Sequence, residues 1–117
     1  MIFTYGTFPD NQITQMAKTM HDDVHRLLLY KDENVLDKMF KSDDEFKSYF
    51  SNIMFRFGGL NTLLGCPIGM VSLLSTLQAA FNVVGSEDYE YQVYRKLILD
   101  AHGYIDQVFE GVKRCHD

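Results

Sequence analysis

Residues 67–84 read PIGMVSLLSTLQAAFNVV, and in this stretch apolar side chains fall on every side of a helix. Ile68, Met70, Val71, Leu73, Leu74, Leu77, Ala79, Ala80, Phe81, Val83 and Val84 leave no polar stripe wider than Ser72, Ser75, Thr76 and Gln78. A helix that is apolar all round is buried in protein or spans a membrane. The serines, Gln78 and Asn82 argue for protein, so residues 67–84 are expected to be the buried central helix of an all-α domain.

The neighbouring segments have the patterning of helices that wrap such a core. Ile13, Met16, Ala17, Met20, Val24, Leu27 and Leu28 recur at intervals of three and four, a spacing that only a helix brings onto one face. This first helix is expected to start at Thr7, with Pro9 in its first turn and Asp10 at its third position, and to run to about Tyr30. Val35 to Phe40 suggests a short helix. Ser42-Asp43-Asp44-Glu45 is a capping box, in which the serine hydroxyl and the glutamate carboxylate each satisfy one otherwise unpaired amide. The helix it starts carries Phe46, Phe50, Ile53, Met54 and Phe57 on one face and is expected to stop at Gly58-Gly59, with one further turn over residues 60–64. The central helix should end at Gly85. Ser86 or Asp88 then caps a last helix, whose stripe is Tyr94, Leu97, Ile98, Ala101, Ile105, Val108, Phe109 and Val112. Residues 1–6 read as a β-prone arm laid on the bundle, since no other strand-like run offers a partner. The expectation is thus one all-α domain over 1–117, a bundle of four long helices and one short helix.

Composition limits the function classes. The chain has 117 residues and is 46% hydrophobic, enough for a real core without disulfides. Its net charge is −5 and its eleven basic residues are scattered, which argues against direct binding to nucleic acid or to anionic membranes. Cys66 and Cys115 form no disulfide framework and no metal-ligand spacing, so they read as free thiols in a reducing compartment. No run approaches the ~18 apolar residues of a membrane span, and the N-terminus lacks the features of a signal peptide. A cytoplasmic location is expected.

The sharpest chemical constellation is His21-Asp22-Asp23-Val24-His25, where two histidines four apart project side by side and can share a divalent transition metal. It has only the histidines in common with the zinc-peptidase motif H-E-x-x-H, and no family assignment follows. His102 and Asp106, also four apart, would complete a four-ligand site with hydrolytic or redox activity if the two helix flanks meet. On a wheel of ~100° per residue, His21 lies about 80° and His25 about 120° from the centre of their helix's apolar stripe. The consecutive carboxylates Asp22-Asp23, Asp43-Asp44 and Glu87-Asp88 diverge by the same ~100° per residue and cannot share a substrate. The glycines form no phosphate-binding loop, because no Gly-Lys-Ser/Thr or G-x-G-x-x-G pattern is present. An enzyme is therefore the less favoured class, and no cofactor is expected outside the metal alternative.

The surplus of apolar residues away from the core stripes points elsewhere. Leu29, Phe55 and Leu99 all lie far round their wheels from the buried faces, Phe55 by about 140°. Either neighbouring helices cover them or a partner does. The leading expectation is a non-enzymatic, cytoplasmic protein-interaction module, with a homodimer or a second protein as partner. Its acidic surface, including Asp43, Asp44, Glu45, Glu87, Asp88 and Glu90, could enter the basic groove of a nucleic-acid-binding enzyme by mimicking phosphate charge. Small acidic helical chains without catalytic signatures are the general type that phages and mobile elements encode as inhibitors of host proteins. Helix capping by the same carboxylates is the competing explanation.

Overall fold

The computed structural model of the chain describes residues 2–3, 6–7, 10–28, 42–87 and 89–114. A two-residue hairpin pairs β1 (Ile2–Phe3) with β2 (Gly6–Thr7), antiparallel, with Ile2 opposite Thr7 and Phe3 opposite Gly6. Four helices follow: α1 (Asp10–Leu28), α2 (Asp43–Leu63), α3 (Met70–Val84) and α4 (Tyr91–Arg114). The fold is all-α, as the apolar periodicities require. The N-terminal arm finds its strand partner within itself. Thr7 belongs to β2, so α1 opens at Asp10 and not at a Thr7 cap. The short helix expected over 35–40 and the residue Leu29 lie outside the described residues.

Cap chemistry explains where α2 begins and ends. Ser42 is extended (φ −150°, ψ 163°) and its Oγ accepts from the Glu45 amide at 3.1 Å, as the capping box requires. The helix does not stop at Gly58-Gly59; both glycines sit inside it. A helical glycine costs about 1 kcal/mol relative to alanine. Against that, the buried stripe Phe46, Phe50, Ile53, Phe57 continues with the same spacing into half-buried Leu60 and buried Leu64. Packing beyond the glycines outweighs their propensity. Closure comes at Gly65 (φ 75°), where the Cys66 amide donates to Asn61 O at 2.8 Å and the Gly65 amide to Thr62 O at 3.2 Å. That pattern, with glycine left-handed just past the end, satisfies two carbonyls of the last turn. Cys66 follows in a left-handed conformation (φ 56°) and is exposed.

The segment that decided the fold class is oriented differently from the expectation. Pro67, Ile68 and Gly69 form the turn before α3, and α3 buries one face only: Met70, Leu73, Leu77 and Ala80. Ser72, Ser75, Gln78 and Asn82 line the face in water, and Val71 is 71% exposed. Both α3, between α4 and α2, and α4, between α3 and α1, have two neighbours. The α4 stripe Tyr94, Ile98, Ala101, Ile105, Val108 and Phe109 is buried along its length. The short polar residues of α3 are the reason: they make a continuous outward stripe that costs nothing to hydrate, so no fourth wall is needed around it.

Contacts between named residues give the directions. Phe50 meets Phe81 edge-on across α2 and α3, and Phe46 meets Tyr94 across α2 and α4. Tyr94 is fully buried and its hydroxyl donates to Leu27 O at 2.6 Å, while Tyr91 donates to Leu28 O at 3.2 Å. These bonds close two carbonyls at the end of α1, groups that a helix leaves unpaired. Each helix therefore runs antiparallel to its neighbours round the circuit α1, α4, α3, α2. The last helix starts at Tyr91, with Glu90 O accepting from the Tyr94 amide at 3.1 Å; the Ser86 amide instead bonds Val83 O and closes α3. Ser86 is thus not the cap, and Asp88 lies outside the described residues.

Gly69 marks the tightest approach of the α3 start to α4. Its φ is 95°, and a Cβ there would lie 3.3 Å from both Gln107 Cβ and Val108 Cγ2. Gly69→Ala is expected to lower stability by about 1–2 kcal/mol from the left-handed backbone alone, before any adjustment of Val108. Thermal melting of the variant checks this.

Candidate functional site

Two seams of α1 hold the polar groups that face other helices, and they lie on opposite flanks. On the α4 side, His21 Nδ1 lies 2.7 Å from His102 Nδ1, and His21 Nε2 lies 2.8 Å from Asp106 Oδ1. Asp106 as a carboxylate only accepts, so His21 donates from Nε2, accepts at Nδ1, and takes the proton of His102 Nδ1–H. The rings are 10° from parallel with centroids 5.0 Å apart. A nitrogen separation of 2.7 Å reaches that centroid distance only if both nitrogens lie near the line of centres, so the rings meet edge to edge in one plane. The result is a linear chain, Asp106 to His21 to His102.

Of the four expected metal ligands, the fold therefore brings three together, but not around a point. His21 spends its two nitrogens on partners at opposite edges of its ring, and no position faces His21, His102 and Asp106 at once. His25, one turn on, is exposed and makes no hydrogen bond among the described residues. No group of three or more His, Cys, Asp or Glu among the described residues is arranged to hold a metal ion. The four expected ligands thus stand as a hydrogen-bonded chain of His21, His102 and Asp106, with His25 apart from it. What the arrangement can do is move or hold a proton. Burial, and then the neighbouring His21 and His25, hold the His102 imidazole below its ordinary value of 6.5, with Asp106 opposing them.

On the α2 side, Asp23 is a carboxylate within the apolar stripe of α1, its side chain only 10% exposed. Arg56 of α2 meets it, Nη1 to Oδ2 at 3.1 Å, and is itself steadied by Nε donating to Asn52 Oδ1 at 2.8 Å. Tyr49 donates to Asp23 O at 3.1 Å; burial, set against Arg26, pushes the phenol up and keeps it protonated. Beside this cluster α1 and α2 stand apart and leave an open groove of about 620 Å³. Met16, Met20, Phe57, Leu60 and Leu63 supply its apolar lining, and Gln12, Gln15 and Thr19 its polar margin.

The sequence reading missed Asp23 and Arg56. A signal was available: Met16, Met20, Asp23 and Leu27 keep the three-four spacing of a buried face, so Asp23 had to be inside and in need of a cation.

No family model, curated protein or solved structure matches this chain.

The expected interface residues divide. Phe55 is 82% and Leu99 41% exposed, and both lie outside the core as anticipated; Ile68, at 85%, was not anticipated. Asp44 and Glu45 are exposed at the start of α2, and Glu87 and Glu90 just before α4. The Phe46–Tyr94 contact, with ring centroids 6.4 Å apart, puts those two helix starts at one end of the bundle. The side chains of Asp43 and Asp88 lie outside what is described. No helix among the described residues is long and apolar enough to cross a membrane.

Proposed function

We propose that this chain is a non-enzymatic protein-binding module of the cytoplasm whose α1–α2 groove takes up an apolar segment of a partner. The groove carries the proposal: among the described residues it lies at the seam of the circuit where two adjacent helices stand apart, and its apolar lining is methionine, leucine and phenylalanine. Methionine-rich surfaces adapt to apolar side chains of different shape, and grooves between helices accept amphipathic helices through anchors one turn apart. The Asp23–Arg56 pair is neutral as a unit and gives the groove a polar end that can orient a peptide. The acidic end of the bundle extends the reading to a basic partner, such as a nucleic-acid-binding enzyme of a host, which is the action of a phage or mobile-element inhibitor. A homodimer would be the self-directed form of the same binding.

Site-specific photocrosslinking tests this. A photoreactive residue in place of Gln15, at the groove margin, should give a discrete adduct in source lysate that persists at about 0.5 M salt, where exposed charges are screened. The same residue in place of Gln92, exposed on α4, should not. Equal adducts from both positions, or none from Gln15, would remove the groove from the proposal. Loss of binding at high salt, together with loss on charge reversal of Asp44 and Glu90, would transfer it to the acidic end.

A further inference from the structure

We infer that His21 and His102 form a proton-operated clasp on the α1–α4 seam, closed while the pair shares at most one added proton and open once both rings are charged. The direct 2.7 Å contact between the two Nδ1 atoms requires that one nitrogen donate and the other accept. With both rings neutral, His102 donates. With one proton added on His21, that ring donates from both nitrogens, to Asp106 at one edge and to His102 at the other, and the chain survives with its middle member charged. A second proton leaves two N–H groups and two positive charges facing each other at hydrogen-bond distance. That state has no bonded form in this geometry.

The surroundings work in the same direction. His21 is 30% exposed on its side chain and Asp106 74%, so protons reach that end of the chain, and His102 is half-buried. The groups acting on His102 are His21 and His25 from α1 and Asp106 from its own helix. The other helix packed on α4, α3, carries no titratable side chain in its described span and supplies no compensating charge. Since burial and like charge hold folded His102 below 6.5, the unfolded chain takes up that proton first. The stabilisation is whole above pH 6.5 and is lost as the pH falls from there through the folded value.

Opening would free the middle of α1, which Tyr94 and Tyr91 continue to hold at its C-terminal end. His21 and Asp23 are ~200° apart on the α1 wheel, so the same movement would shift the groove wall. This consequence for the groove rests on the functional reading above, whereas the clasp does not.

Hydrogen exchange of the full chain, corrected for intrinsic pH effects, separates the two. Amides in the middle of α1, around His21, should lose about tenfold or more of their protection between pH 7.5 and 5, one decade for each pH unit by which the second proton is resisted. Amides of the α2–α3 seam around Phe50 and Leu77 should lose less. His102→Gln should abolish the difference, and His25→Gln should retain it. Equal loss in all helices, or the same α1 loss in His102→Gln, would overturn the clasp. The wild-type protein gives an independent check by imidazole NMR: His102 should charge below pH 6.5. A His102 titration at its ordinary value or above would overturn it as well. Groove binding that fails while this signature holds would strike only the functional reading.

Discussion

Leu77→Ala is expected to cost about 2–5 kcal/mol, while Val71→Ala, six residues earlier on the same helix, should change stability by no more than about 0.5 kcal/mol. Leu77 is fully buried on the face that α3 turns to the core, and shortening it leaves a cavity that the surrounding Leu73 and Ala80 cannot fill. Val71 is 71% exposed and loses almost no buried surface when truncated. Leu74, half-buried, should fall between them. Urea unfolding at matched slopes measures all three. A Val71→Ala loss as large as that of Leu77→Ala would mean that α3 is enclosed on every side, against the orientation described.

Phe50→Ala should destabilise by about 3–5 kcal/mol, the range for removing a fully buried aromatic ring. Phe50 is the link between two edge-on contacts, with Phe46 at 5.8 Å on its own helix and with Phe81 at 5.3 Å on α3. Such geometry aims the positive ring edge at a negative face, and a double-mutant cycle with Phe81→Ala should return a coupling of about 0.5–1.5 kcal/mol. Phe55→Ala is the internal control, since five residues along the same helix put that ring 82% into solvent, and its unfolding free energy should be near wild type. If Phe55→Ala proved costly in a concentration-dependent way, the exposed ring would be buried in an assembly of the protein.

The candidate site was legible in part. Two histidines spaced four apart, with a third histidine and an aspartate spaced likewise, identified three of the residues that meet across α1 and α4. The fourth, His25, fails because a further turn carries it toward solvent. Spacing along one helix says which side chains are neighbours on that helix; it says nothing about the angle from which a partner ring arrives. That angle turned a ligand set into an edge-to-edge proton chain. The Asp23–Arg56 pair shows the reverse case, a contact whose first half was written in the α1 stripe while its partner depended on which helix came to lie alongside.

The sequence alone determined the helical class, the buried stripes of α1, α2 and α4 and the Ser42 cap, because these rest on side chains within one or two turns of each other. It also determined that Phe55 and Leu99 stand apart from the core. Tertiary structure decided the rest. Gly58-Gly59 had the local chemistry of a stop, yet the burial of Leu60 and Leu64 across the bundle carried α2 past it to Gly65. The helix with apolar residues on all sides buries Met70, Leu73, Leu77 and Ala80 between α4 and α2 and leaves Val71 and its polar stripe in water. Hydrophobicity counts how much surface a helix can bury, but how much it does bury depends on which of its faces the neighbours reach, and that is set by the packing of the whole chain.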